Sequence, residues 1–388
     1  MKILYVLNST NAEGGATRSF DNLLNELLVR GNDALVVMPD TGGYYKVLKG
    51  KGVSIYATPY ESDIIPSLRT TRDKILFLPR LIRNKCHNYI AVKKIVKICE
   101  EFEPDLIHTN VSPISIGYLV SKKLRIPHIY HVREYGDKDF DLKIIKIKQR
   151  LADSYTISIT KDISKYRNLN DERKDCVIYN GIYPLSSIRK KFPKERYLFY
   201  AGRLTVKKGF GFMMDAYIDY AKSAGNHLRM IVAGGQSGME SHELCNSIRD
   251  RLEYEGLSES VDWLGVIDNV DEYMLDSVAT VVPSVCEGFG RVVAEAMFNG
   301  SLVIGRDSGG IKEQFDNGVH VTGDEIGLRF NTREELIAHF MRLTEDASFI
   351  EPYIDRSQEC VKKLYSNDNN AKSILSFYEK ILQGRAIG

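Results

Sequence analysis

The chain has 388 residues, which is long for one domain and suits two. With 43% hydrophobic and 27% charged residues it can fill packed cores, which excludes a disordered chain. Net charge is only +2, yet residues 1–180 hold 29 Lys and Arg against 21 Asp and Glu, leaving 24 against 30 for the rest. The basic first half suits phosphates or an anionic membrane surface, and nucleic acid is not an expected partner. The six cysteines, Cys86, Cys99, Cys176, Cys245, Cys286 and Cys360, form no CxxC pair, which argues against structural zinc and for a reducing compartment. The opening MKILYVLNST is too short an apolar run for a signal peptide, and no later run reaches about 18 residues. A cytoplasmic protein is expected, able to associate with the inner face of the cell membrane.

In chain order, Lys2 to Leu7 reads as a strand, Asn8–Ala16 as a loop with Gly14 and Gly15, and Thr17 to Arg30 as a helix carrying Phe20, Leu23, Leu24, Leu27 and Leu28. Ala34 to Met38 completes a β-α-β unit, hence a parallel sheet. The loop is not GxGxxG, so a nicotinamide dinucleotide is not expected there. Residues 69–98 are rich in Lys and Arg interleaved with apolar residues, and predict two helices broken near Pro79. Their basic face is either simply solvated or an interfacial surface for lipid headgroups, a flavour repeated in Leu142 to Leu151. Strands follow at Asp105 to His108, Ile126 to His131, Tyr155 to Ile159 and Cys176 to Tyr179. Asn180–Gly181 is a turn, after which the pattern restarts. Strands at Arg196 to Ala201, Leu228 to Ala233 and Val261 to Leu264 alternate with helices, one of them Phe210 to Lys222. The last segment, Asn367 to Leu382, is an amphipathic helix. The expected domains are 1–183, 184–366 and a terminal helix, 367–388, packing back on the first.

The most informative stretch is Thr280 to Gly310. A β-branched strand runs to Val282, a helix runs from about Gly290 to Phe298 and stops at Gly300, and a second strand covers Leu302 to Ile304. The amides of Gly288, Phe289 and Gly290 fall at the helix start, where the dipole favours an anion. Glu287 and Glu295 flank that cradle and can hold hydroxyl groups, so the stretch suits a nucleotide-sugar, which has both a diphosphate and hydroxyls. In an open α/β sheet ligands bind beyond the carboxyl ends of the strands. His131, Arg133 and Glu134 lie at such an end, and so do Arg203, Lys208 and Gly234–Gly235. Arg203 and Lys208, in GRLTVKKG, give a planar fork and a point charge for a diphosphate. Each also has a plainer reading: a solvated basic loop, a satisfied histidine, a carboxylate favoured near a helix start. Cys286 reads as a small buried residue rather than a nucleophile. The DxD patterns Asp137-Lys138-Asp139 and Asp139-Phe140-Asp141 follow no apolar strand directly, so no metal is assigned to them.

These motifs resemble those of the retaining GT-B glycosyltransferases of family four, also called group 1. PSVCEGFGRVVAEAM with GRDSGGIKE resembles the family's Glu-x7-Glu signature, YAGRLTVKKG its diphosphate loop, EGGATRS its N-terminal Gly-Gly loop and VIYNGI its inter-domain turn. The resemblance covers nearly the whole chain. It implies an α/β GT-B fold: two doubly wound Rossmann-like domains facing across a cleft, acceptor-binding first and nucleotide-sugar-binding second. It implies that Arg203 and Lys208 bind the donor diphosphate, Glu295 the ribose and Glu287 the transferred sugar. Gly15, Gly235, Gly288, Phe289, Gly290 and Arg291 lie near sugar or phosphate, the backbone at Val266 edges the base, and His131 sits near the reacting sugar. Acceptor recognition falls to Arg18, Asn110 and Arg133. The donor is a UDP- or GDP-sugar, the acceptor a glycan or a lipid-linked one, and no metal or other cofactor is required. Surface polysaccharide biosynthesis is the expected setting. A sugar-nucleotide epimerase of the same architecture is the alternative.

Overall fold

The computed structural model describes residues 1–66, 70–136, 144 and 146–386. They form two compact units, Met1–Gly181 with Asn367–Gly388, and Ile182–Ser366. The described residues of the first unit make a seven-stranded sheet from β1 (Lys2–Val6), β2 (Asp33–Met38), β3 (Ser54–Ala57), β4 (Leu106–Thr109), β5 (His128–Val132), β6 (Tyr155–Ser158) and β7 (Asp175–Val177). Its order is β3-β2-β1-β4-β5-β6-β7, with every pair parallel. Ile3, Leu4, Tyr5 and Val6 are all fully buried, because helices cover both faces of a parallel sheet.

Helix Gly15–Val29 turns Phe20, Leu23, Leu24 and Leu27 into the core at spacings of three and four. The terminal helix, Asn367–Ala386, adds Ala371, Ile374, Phe377, Tyr378 and Ile381 to the same core, beside Ile3, Tyr5 and Phe20.

The expected break at Pro79 is absent: Thr71–Phe102 is one helix with Pro79 inside it. Proline removes one intrahelical bond, but residues around it, such as Ile75 and Leu78, face solvent, where water can take the freed carbonyl. A capping box of Thr70 and Asp73 starts the helix, and buried Ala91, Val92, Ile95 and Cys99 anchor its second half.

The second unit repeats the plan. Its strands β8 (Glu195–Ala201), β9 (Arg229–Ala233), β10 (Val261–Gly265), β11 (Ser277–Val282), β12 (Leu302–Arg306) and β13 (Leu328–Phe330) form a parallel sheet in the order β10-β9-β8-β11-β12-β13. In both units the strand order reverses beside the first strand, the point at which open α/β sheets bind ligands. Among the described residues no helix is long and apolar enough to cross a membrane.

Candidate active site

In the second unit the loops after β8 and β11 are held together. Gly209 has φ +68°, and a Cβ there would lie 2.0 Å from the Pro283 carbonyl oxygen, so only glycine lets these chains approach. The Val285 amide donates to the Lys207 carbonyl at 3.3 Å. This approach sets Lys208 Nζ 2.5 Å from Glu287 Oε1. Arg203 is exposed, and its guanidinium makes no ion pair among the described residues; Tyr200 fixes its backbone by donating to the Arg203 carbonyl at 2.8 Å.

The loop from Cys286 to Gly290 is braced from behind. The Gly310 amide donates to the Glu287 carbonyl at 2.9 Å, and Gln314 Nε2 donates to the Gly290 carbonyl at 3.2 Å. Phe289 is buried edge-on against Tyr365, with centroids 5.3 Å apart. Gly290, at φ +81°, caps helix Arg291–Phe298. One turn in, Glu295 is 8% exposed and pairs with Arg291, Nη2 to Oε1 at 3.1 Å. The Arg291 contact shown is therefore this internal one, at the i,i+4 spacing. Cys286 is half-buried rather than buried. Gly235 and Val266 come together at the ends of β9 and β10: a Cβ on Gly235 would lie 3.1 Å from Val266 Cγ2, and Val266 is 72% exposed. Thus Arg203, Lys208, Gly235, Val266, Glu287 to Gly290 and Glu295 lie on loops or a helix start after successive strands of one sheet.

In the first unit Gly15 opens its helix and Arg18, on that helix, is exposed. Asn110 and Arg133 are buried and bond each other: Arg133 Nε donates to Asn110 O at 3.0 Å and to Oδ1 at 3.1 Å. Arg133 Nη1 donates to Asn180 Oδ1 at 2.7 Å, and Nη2 lies 3.2 Å from His131 Nδ1. Two of the residues expected to hold the acceptor therefore serve as an internal brace for His131. His131 Nδ1 also lies 3.2 Å from His108 Nε2, while its own Nε2 is buried with no partner among the described residues. Burial first, then the Arg133 charge, keeps His131 well below the ordinary histidine range. Glu134 is held above the usual carboxylate range by burial, against the bonds it accepts from Ser112. Sequence reasoning missed His108 and Tyr378 as polar partners here. His108 ends the strand DLIH as His131 ends its own, which was a usable signal; Tyr378 lies in a helix 247 residues beyond His131 and gave none.

Asp137 to Asp141, the DxD patterns, lie outside the described residues, as does part of Leu142 to Leu151. Among the described residues no three of His, Cys, Asp or Glu gather as a metal site.

Two family models divide the chain. Residues 13–184 match the model of glycosyltransferase family 4, and residues 185–360 that of glycosyl transferases group 1. An uncharacterized 42.6 kDa protein in the cps region of Klebsiella pneumoniae is 27% identical, covering 77% of this chain and 83% of its own. The capsular polysaccharide biosynthesis glycosyltransferase CapH of Staphylococcus aureus is 23% identical, covering 58% and 67%. The crystal structure of Anabaena HepE in complex with UDP superposes with a TM-score of 0.77 at 18% identity, covering 97% of this chain and 99% of that one. At that identity the likeness shows the shared GT-B fold. The matches give the epimerase alternative no support. A parallel sheet pair with this loop constellation, matched along residues 13–360 by these two models, places the chain in the group 1 glycosyltransferases of the GT-B fold.

Proposed function

We propose that the enzyme moves a sugar from a UDP- or GDP-sugar to a glycan or lipid-linked acceptor, with retention of configuration and without a metal, in surface polysaccharide biosynthesis. The observation that carries this is Lys208 fixed on Glu287 beside the glycine-bound loop 286–290, with Arg203 exposed after the neighbouring strand. Arg203, Lys208 and the amides before Arg291 take up the charge that grows on the leaving diphosphate, the work a metal would otherwise do. Glu295, oriented by Arg291, accepts from the ribose hydroxyls. Glu287 meets hydroxyls of the sugar and steadies Lys208. The acceptor attacks on the face the diphosphate leaves, and a phosphate oxygen takes its proton. The relative in the cps region and the capsular relative favour a polysaccharide setting, and the UDP held by the similar structure favours a uridine nucleotide.

The first unit supplies acceptor recognition through Arg18 and the helix Thr71–Phe102. That helix exposes Ile75, Leu78, Ile82 and Tyr89 at spacings of three, four and seven, among the exposed cations Arg72, Lys74, Arg83 and Lys85. An apolar stripe flanked by cations suits an anionic lipid surface. In co-sedimentation, vesicles with anionic lipid should bind the protein at low salt, and the pair Ile75→Ser with Leu78→Ser should abolish it. Equal binding to neutral vesicles, or none at all, would remove the membrane part.

The function itself is tested by screening turnover of a panel of nucleotide-sugars in a chelator, with NMR of the product anomer. A UDP- or GDP-sugar turned over with retention is expected. An inverted product, or turnover lost to the chelator, would refute the retaining or metal-free part.

A further inference from the structure

Behind His131 the first unit holds a line of buried polar groups. Tyr5 Oη lies 3.2 Å from Tyr378 Oη, the Tyr378 hydroxyl bonds His108 Nδ1, and His108 Nε2 lies 3.2 Å from His131 Nδ1. Arg133 Nη2 lies 3.2 Å from the same His131 nitrogen. A guanidinium only donates. His131 Nδ1 therefore accepts, and the neutral ring carries its proton on Nε2. The same logic runs back along the line. His108 Nε2 faces the same bare Nδ1, where a second lone pair would be repelled, so it bears the proton and shares that one acceptor with Arg133; His108 Nδ1 then accepts from the Tyr378 hydroxyl, whose oxygen is left to accept from Tyr5. One fixed cation sets the direction of every bond. Burial, and then Arg133, keep both rings neutral, with His108 pushed down to about 3. The line ends at His131 Nε2, buried and without a partner among the described residues. A buried donor left unpaired is costly, so such a group in a native fold calls for an acceptor.

We propose that Tyr378, His108 and Arg133 are positioning residues that hold His131 as a neutral Nε2–H donor to a substrate oxygen, and that His131 is not the base that deprotonates the acceptor. This rests on the sugar-transfer reading above. No bond is made or broken at His131; the acceptor's proton goes to the leaving phosphate. The terminal helix, which carries Tyr378, thereby takes part in the site although it lies far away in sequence.

Two-dimensional NMR of the full-length protein, 15N-labelled at histidine and free of ligand at about pH 7.5, reads each ring's tautomer. His131 and His108 should both show a protonated Nε2 and a bare Nδ1. Tyr378→Phe removes one hydroxyl. It should shift His108 toward mixed tautomers and lower kcat roughly tenfold, about the loss of one neutral hydrogen bond, while donor KM changes little. His131→Gln, whose amide nitrogen can replace Nε2–H, should keep more activity than His131→Asn. A His131 ring protonated at Nδ1, or doubly protonated, overturns the proposal, and so does His131→Asn matching His131→Gln. If Tyr378→Phe does not fold, the wild-type spectrum still decides. The expected tautomers in a protein that turns over no nucleotide-sugar would support the line of bonds and count against the sugar-donor reading.

Discussion

Two glutamates seven intervening residues apart meet different cations. Glu287 holds Lys208, and Glu295 is held by Arg291. Removing a cation therefore has different consequences at the two places. Lys208→Ala and Arg203→Ala should lower kcat by about 100-fold or more, the usual loss when one donor to a developing anion is removed. Glu295→Ala should instead weaken donor binding by about tenfold to a hundredfold, the worth of bonds to a charged acceptor. Arg291→Ala leaves the carboxylate of Glu295, 8% exposed, without its cation, and should cost about 2 kcal/mol of stability in urea denaturation. Adding Glu295→Gln to that variant should recover part of the loss; no recovery would mean that the pair is not coupled.

At the scale of elements, the site depends on chains that touch backbone to backbone. A Cβ on Gly310 would lie 2.7 Å from the Gly288 carbonyl oxygen and from Phe289 Cα. Gly310→Ala should displace the loop 286–290 and abolish donor binding while circular dichroism stays that of the wild type; unchanged calorimetric affinity would contradict the bracing role. Much of this was legible in the sequence because it is local. The strand, loop and helix of Thr280 to Gly310 announce themselves through β-branched residues, paired glycines and a stop at Gly300. What was not legible is non-local or short. β3 (SIYA) and β13 (LRF) each carry only one branched aliphatic residue, too weak an apolar run to read as a strand. Pro79 reads as a break, because the sequence does not show that solvent can satisfy the carbonyl it frees. The Arg133 brace joins Asn110, His131 and Asn180 from three separate loops or strand ends, a meeting that only the sheet order β4-β5-β6-β7 arranges.

At the scale of the whole molecule, the chain leaves its first unit at Gly181 and returns to it at Asn367. Truncation after Ser366 would strip Ile374, Phe377, Tyr378 and Ile381 from the first core, and the product should be insoluble or lack a cooperative transition for that unit. Buried histidines of the first unit make stability depend on pH. Burial holds His108 down at about 3, and His128 and His131 well below 6.5. Their folded values lie below the unfolded one, so stability is complete above about pH 6.5 and is lost as pH falls toward the folded values, by up to about 1.4 kcal/mol per unit for each ring. Urea midpoints should fall between pH 7.5 and 5.5, and less so in His108→Gln. The central claim, that the second unit holds a nucleoside diphosphate through Arg203, Lys208 and Glu295, is tested most directly by calorimetry of UDP and GDP in the presence of a chelator. Saturable binding of one nucleotide per chain is predicted for the wild-type protein, weakened at least tenfold in Glu295→Ala and in Arg203→Ala with Lys208→Ala. Affinity unchanged in both variants, or no binding of either nucleotide by the wild-type protein, would contradict it.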